Sequence, residues 1–255
     1  GFATAAIGAY AFAKGLKSVI MTFAQFEHAM QEVRSILLHT SDEAFQGLID
    51  KAKELGATTV FTATEAAEAM SFLSRAGFDA SETLATVGGT LDLAAAGNME
   101  LAEAANITSQ VLRGMGLEVS ETSRVADVLA LTSAKTNTTV SQLGSAFGYV
   151  GPVASALGIT LEETAAMLGQ LSNAGIQADR AGTGLKNIFA ELAAEIDENG
   201  ISALKHFTEG GIGVAEAFEI FQKRGGPAIL ALEKMSDKTA QLTEDLNDAE
   251  GIARE

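Results

Sequence analysis

The sequence contains no cysteine, and its only prolines are Pro152 and Pro227. Without cysteine the chain can form neither a disulfide framework nor a thiolate zinc site. The scarcity of proline, together with abundant alanine, leucine, glutamate and methionine, favours helix over sheet. Because no segment shows sustained alternation of apolar and polar residues, we predict an all-α fold.

Basic residues are also scarce, with 17 lysines and arginines against 33 acidic residues and a net charge of −16. Residues 1–40 hold three basic and two acidic side chains, which leaves −17 on the other 215 residues. Such a chain is poorly suited to follow a phosphate backbone, so we predict no specific binding of nucleic acid. An acidic surface also keeps an alanine- and leucine-rich chain soluble.

Few residues in the sequence indicate chemistry. None of the three histidines, His28, His39 and His206, has a second histidine at a metal-binding spacing. Residues 144–148 lack the Gly-x-Ser-x-Gly order of a nucleophile motif, and the glycines at 210–213 lack the Lys-Ser/Thr partner of a phosphate loop. We therefore predict no catalytic residue, cofactor or metal site, and not an enzyme. An enzyme on a helical scaffold is the weakest of three hypotheses.

A heptad repeat runs through the first 37 residues. Apolar residues recur at alternating steps of three and four from Phe2 to Leu37, which is typical of a coiled-coil seam. A lone helix of this kind would expose four phenylalanines, so it must pack on something. The unbroken register favours another copy of the chain, and packing against the chain's own helices is the alternative. The predicted oligomer seam consists of Phe12, Leu16, Val19, Phe23, Phe26, Met30, Val33 and Leu37.

The apolar stretch 1–26 also admits a membrane-spanning interpretation. Lys14 and Lys17 lie inside the stretch and count against it. No small-residue cleavage site follows, as a secretory signal would require. We therefore favour a packed oligomer helix over a spanning one.

A six-residue pattern recurs at 77–82, 116–121 and 158–163, with a variant at 137–142 and a partial copy at 175–179. Glycine or asparagine opens the pattern and can adopt the left-handed conformation that ends a helix. Asp, Thr or Ser then accepts the free N–H groups of the next helix, and a later Glu or Gln completes a capping box. Thr62 to Glu65 offers the same box without the glycine.

The glycine and asparagine residues that open these patterns predict short helices joined by tight turns. Counting Gly97, they are spaced 17 to 21 residues apart, which fits helices of about 12 to 15 residues. Pro152, after Gly151, is predicted to interrupt the helical structure and so to separate two helices. Residues 180–184 are predicted to form a helix-turn junction. The predicted helix-turn signature is Gly77, Gly116, Asn137, Gly158, Gly175 and Pro152.

We therefore predict a long N-terminal heptad helix, a compact array of short antiparallel helices and a long C-terminal helix. The first segment, 1–57, is a coiled-coil-like helix and connector, and 58–195 is the helical array. Residues 196–227 form loops and short helices, and 228–255 form a heptad helix that leads out of the fragment. Since Gly1 opens in mid-pattern, we expect the chain to be part of a longer polypeptide.

Five short stretches, taken in order, resemble the conserved core of phage tail tape measure proteins. Each stretch is weak alone, but together they cover roughly half of the chain, from Ala66 to Leu192. They are Thr62-Ala-Thr-Glu-Ala-Ala-Glu-Ala69 with Ala76-Gly-Phe78, Leu91-Asp-Leu-Ala-Ala-Ala-Gly97, Val125-Ala-Asp-Val-Leu-Ala130, Tyr149-Val-Gly-Pro-Val-Ala154, and Leu171-Ser-Asn-Ala-Gly-Ile176 leading into Ala181-Gly-Thr-Gly-Leu185.

The resemblance implies a structural virion protein that sets tail length, scaffolds assembly of the tail tube and takes part in genome ejection. It implies contacts with copies of itself, as a trimer or hexamer, and with tail tube and tail tip proteins. Contact with a membrane during ejection would follow. The implied locations are the virion tail and, during assembly, the host cytoplasm. The alternative function is a membrane-active helical protein, either pore-forming or an envelope-penetrating segment.

Overall fold

The computed structural model describes residues 21–194 and 236–248, and within these ranges the chain is helical and contains no strand. The predicted all-α class is therefore confirmed. The helices are α1 (21–36), α2 (Asp42–Thr58), α3 (Ala63–Arg75), α4 (Ala80–Gly97), α5 (Leu101–Met115), α6 (Thr122–Lys135), α7 (Val140–Ala156), α8 (Leu161–Asn173), α9 (Ala178–Ala194) and α10 (Ser236–Asn247). A short 3₁₀ turn, Val119–Glu121, precedes α6.

Capping boxes begin four of these helices, as the sequence predicts. Thr62, Asp79, Thr139 and Thr160 each accept the backbone N–H three residues later, and the Glu or Gln there accepts the N–H of the cap. A cap of this kind contributes about 1 kcal/mol to the stability of its helix. In the copy at 116–121, Glu118 and Glu121 form the capping box of the 3₁₀ turn instead of that of an α-helix. Helix α6 starts only after this turn, at Thr122.

The predicted glycines end their helices in the left-handed conformation. Gly77, Gly116, Gly158 and Gly175 have φ values of +90°, +66°, +73° and +84°. At Gly116, for example, the next N–H reaches back to the carbonyl of Leu112 at 2.8 Å and closes the last turn of α5.

The left-handed conformation predicted for Asn137 is wrong. Asn98 adopts it instead, with φ +45°, while α6 ends in extended backbone at Thr136. The N–H of Asn137 donates to the side chain of Asn173 at 2.8 Å, and its carbonyl accepts from Gln177 at 2.6 Å. A tertiary contact with the end of α8 therefore fixes this turn.

The predicted break at Pro152 is also wrong, because α7 runs through it from Val140 to Ala156. Gly151 and Pro152 lie against Gly114 of α5, where an added Cβ would meet the proline ring at 3.6 Å. Packing on α5 thus holds the helix through a residue that usually ends one. The helix-turn junction predicted at residues 180–184 is also wrong, because these residues lie inside α9. Packing of α9 on α7 supports the helix there.

Helices α2 to α10 form two layers. Helices α2, α4, α6, α8 and α10 lie side by side in one layer, and α3, α5, α7 and α9 in the other, so the chain alternates between layers. Each pair of helices is thus one repeat of about 40 residues, as in helical solenoids. The core lies between the layers and buries the predicted helix faces: Ala66, Ala69, Met70, Leu73, Val125, Val128, Leu129, Thr132, Ala165, Leu168 and Leu171.

At both ends of the array, the structure differs from the predicted division into segments. Residues 42–58, assigned to a connector, form α2 in the first layer. Helix α10 does not lead away from the array, because Leu242 and Leu246 are buried where it packs on α8 and α6. The predictions for 1–20 and 196–227 fall outside the described residues.

Candidate functional site

The predicted oligomer seam divides near Phe26. Met30 and Val33 are buried against the chain's own helices, at 3% and 0% exposure, which is the alternative left open by the sequence. Phe26 and Leu37 are partly buried against the same core, whereas Phe23 is 60% exposed. Phe12, Leu16 and Val19 lie outside the described residues. Among described seam residues, Phe23 is therefore the one best placed to contact a partner.

Three of the six large apolar side chains that are exposed in the described residues, Met21, Phe23 and Val60, lie at the end of the α1–α2 pair where α1 begins. The two helices are antiparallel, because Arg34 lies over the ring of Phe45 at 4.8 Å and Lys53 over that of Phe26 at 6.0 Å. The start of α1 therefore lies beside the end of α2. There Met21 is 53% exposed and Val60, just past α2, is 85% exposed. These three residues are the described part of the chain's candidate interaction surface near the seam.

An ion pair joins α6 to α8. The guanidinium of Arg124 donates from Nε and Nη2 to the two carboxylate oxygens of Glu162, at 2.7 and 2.8 Å, and Arg124 also pairs with Glu121. Hydrogen bonding to Glu162 raises the pKa of Arg124 above its ordinary value. Because both oxygens of this buried carboxylate are occupied, Glu162 is suited to clamp two helices rather than to accept a proton in catalysis.

A second contact joins α10 to the array. The side-chain amide of Gln170 donates to the carbonyl of Lys238 at 3.4 Å, and Lys135 pairs with Asp245. The bond from Lys135 holds the pKa of Asp245 below its usual range. Heptad spacing predicted the leucines of α10, but no sequence signal identified Lys135 or Gln170, because the spacing does not encode the surface on which a helix docks.

Glycines inside helices make room for close contacts with neighbouring helices. A Cβ on Gly182 of α9 would lie 2.3 Å from the carbonyl oxygen of Ala146 in α7. A Cβ on Gly144 would lie 2.5 Å from Ile107, and one on Gly89 would lie 2.8 Å from Thr122. The sequence signal for such contacts is glycine within a helical pattern, which predicts a close approach without naming its partner.

Over residues 21–194 and 236–248, no group of three or more His, Cys, Asp or Glu residues is arranged to hold a metal ion. Ser145, within the glycine-flanked stretch 144–148, donates its hydroxyl to Asp179 of α9. In the same described ranges, none of the helices is both long and apolar enough to cross a membrane.

The described chain is an array of packed helix pairs that carries exposed apolar residues near the start of α1. The family described as phage-related minor tail protein matches residues 49–253, and the chain belongs to this family. It is thus a structural protein of phage tails. No solved structure matches it.

The relatives bear the name expected from the sequence. The tape measure protein of Pneumococcus phage Dp-1 is 38% identical over 169 residues, 66% of this chain and 15% of that protein. The probable tape measure protein of Escherichia phage P2 is 30% identical over 195 residues, 76% of this chain and 24% of the relative. That of Clostridium phage phiCD119 is 28% identical over 185 residues, 70% of this chain and 19% of the relative.

These comparisons confirm the resemblance to tape measure proteins and do not favour the membrane-active alternative. The chain spans a quarter or less of the length of each of these relatives.

Proposed function

We propose that this chain is a segment of a tape measure protein that sets tail length, scaffolds assembly of the tail tube and takes part in genome ejection. The observation that carries the proposal is the alignment of 66% to 76% of the chain with three proteins that bear that name. Helical structure supplies the physical basis, because each residue adds about 1.5 Å to a helix and chain length then converts into tube length.

We assign distinct roles to the segments of the chain. The heptad helix upstream of Phe26 runs along the tail axis, and the two-layer array, which now includes α2, forms a compact node. Residues 196–227 connect this node to the C-terminal helix. The protein resides in the virion tail and, during assembly, in the host cytoplasm.

We also assign self-association to the upstream seam. A net charge of −16 opposes contact between copies, whereas residues 1–40 carry three basic and two acidic side chains and oppose it least. We propose a trimer or hexamer joined by Phe12, Leu16, Val19 and Phe23. Tail tube and tail tip proteins are the further partners, and contact with a membrane belongs to ejection. The acidic array leaves DNA free to pass.

Tail length in the intact phage tests the proposal. Inserting about 35 residues, five heptads in register, after Lys17 of the full-length protein should lengthen the tail by roughly 52 Å. Electron microscopy of assembled tails measures the change. A Gly/Ser-rich insertion of equal length is the matched control, and it should lengthen the tail less because a flexible chain does not span a fixed rise per residue. Assembled tails of unchanged length with the heptad insertion would contradict the proposal.

A further inference from the structure

Helix α8 owes the burial of one side to α10. Eleven of its thirteen residues are buried, and α10 contacts α8 more extensively than α6, α7 or α9 does. Gln170 marks the covered side, because it donates to the backbone of α10 and is only 5% exposed. Ala166 and Met167 lie one turn earlier on that side and are buried too. This side of α8 therefore faces α10.

The position of α10 is the next place in the layer formed by α2, α4, α6 and α8. An array of repeats exposes an apolar face at its end and needs a covering element there. Helices α8 and α9 are joined by four residues, whereas 41 residues separate α9 from α10. A chain of 41 residues spans at most about 130 Å, and less where it is helical. A connection of this length is compatible with docking of α10 on a neighbouring array as well as on its own.

The contact itself is independent of this connection. It consists of two leucines one helical turn apart, the Gln170 bond to the carbonyl of Lys238, and the ion pair of Lys135 with Asp245. Residues 236–248 carry four acidic side chains and one lysine, so a cation on the rim of the groove complements the incoming helix. The groove between α6 and α8 thus recognises a short acidic helix with leucines at positions i and i+4.

We propose that this α6–α8 groove is a docking site between copies, which receives the α10 helix of a second copy in the assembled state. The proposal rests on the self-association proposed above. Copies held together by the seam present each other's α10 to the groove at a raised effective concentration. Exchange then links neighbouring arrays without any new contact surface.

Cysteine crosslinking tests the exchange directly, because the full chain contains no native cysteine. Lys135→Cys and Asp245→Cys are made as separate variants, mixed, refolded together and treated with a short bismaleimide. Exchange should give a covalent dimer on denaturing gels. The double variant Lys135→Cys with Asp245→Cys shows that the two positions can be joined. A mixture of Lys51→Cys and Asp245→Cys is the matched control, because Lys51 lies on α2 at the other end of the layer, and it should yield little dimer.

Light scattering on the same samples separates the possible failures. The exchange is overturned if light scattering shows an oligomer, the double variant crosslinks within its own chain, and the mixed single variants give no covalent dimer. That outcome leaves the tape measure proposal standing. A monomer without crosslinks between chains overturns both the exchange and the seam.

A binding measurement examines the groove by itself. A fluorescent peptide of residues 236–248 should bind the full chain carrying Leu242→Asp and Leu246→Asp at least tenfold more tightly than it binds the unaltered chain, whose groove is filled. The peptide with the same two substitutions is the control. Absence of binding to a variant that keeps its helical circular dichroism would overturn the proposed docking site.

Discussion

At the scale of single residues, the Arg124–Glu162 pair shows how an acidic chain keeps a carboxylate inside. The side chain of Glu162 is 4% exposed, and both of its oxygens are held by one guanidinium. A buried charge of this kind is tolerated only while its partner remains, and removing the partner costs more than the pair contributes.

We therefore expect Arg124→Met to lower the free energy of unfolding by about 2 kcal/mol. The loss stays below that of a fully buried pair because Arg124 is 43% exposed and water reaches the site. Urea denaturation followed by circular dichroism measures it. Adding Glu162→Met should recover most of the loss, since no charge then remains buried.

The control for this prediction is Lys51→Met, which breaks the Lys51–Glu54 pair, where Glu54 is 58% exposed. Its effect should stay below about 1 kcal/mol. Equal losses for Arg124→Met and Lys51→Met would show that burial of Glu162 carries no weight.

At the scale of elements, close contacts between backbones set the layer of α5, α7 and α9. The α7–α9 contact is the most extensive in the described array, and Gly182 lies directly on the carbonyl of Ala146. A backbone cannot move aside as a flexible side chain can, so this position fixes the distance between the two helices.

Gly182→Ala should therefore lower the free energy of unfolding by about 1–3 kcal/mol, because the new methyl group forces α9 away from α7. Gly47→Ala is the matched substitution, since nothing lies within 4 Å of a Cβ at that position of α2. It should raise the stability by about 0.5–1 kcal/mol through the better helix propensity of alanine. Thermal unfolding should move the two melting temperatures in opposite directions, and shifts of the same sign would refute this account of the α7–α9 contact.

At the scale of the whole molecule, the heptad repeat of the N-terminal helix has two different surroundings. Its downstream part is core, with Val33 fully buried, and Phe23 is exposed beside the other apolar residues at the end of the α1–α2 pair. One pattern in the sequence thus packs within the chain at Val33 and is exposed at Phe23, where we propose the contact between copies.

Phe23→Asp should therefore reduce the mass of the oligomer in light scattering while leaving the melting temperature of the array nearly unchanged. Val33→Asp should act mainly on stability. It should lower the free energy of unfolding by more than about 3 kcal/mol, because it places an unpaired charge in the core. Unchanged oligomer mass for Phe23→Asp would remove this residue from the proposed seam.

Features that depend on residues close together in the chain could be predicted from the sequence. The capping box of Thr160 and Glu163 and the left-handed Gly158 each involve a few neighbouring residues, so local chemistry is sufficient to define them. The buried faces of α3, α6 and α8 follow from the helical period in the same way. The resemblance to tape measure proteins came from short stretches of the same local kind.

Features that depend on residues far apart in the chain could not be predicted from the sequence. Pro152 stays inside α7 because α5 supports it, Asn137 follows the end of α8, and α10 packs back on the array. In each case a tertiary contact outweighs a local preference of a few kcal/mol at most. The sequence by itself determined that this protein is helical, where most of its helices begin and end, and which faces they bury. Only the tertiary structure decided which helices meet, because partners far apart in the chain leave no mark in local spacing.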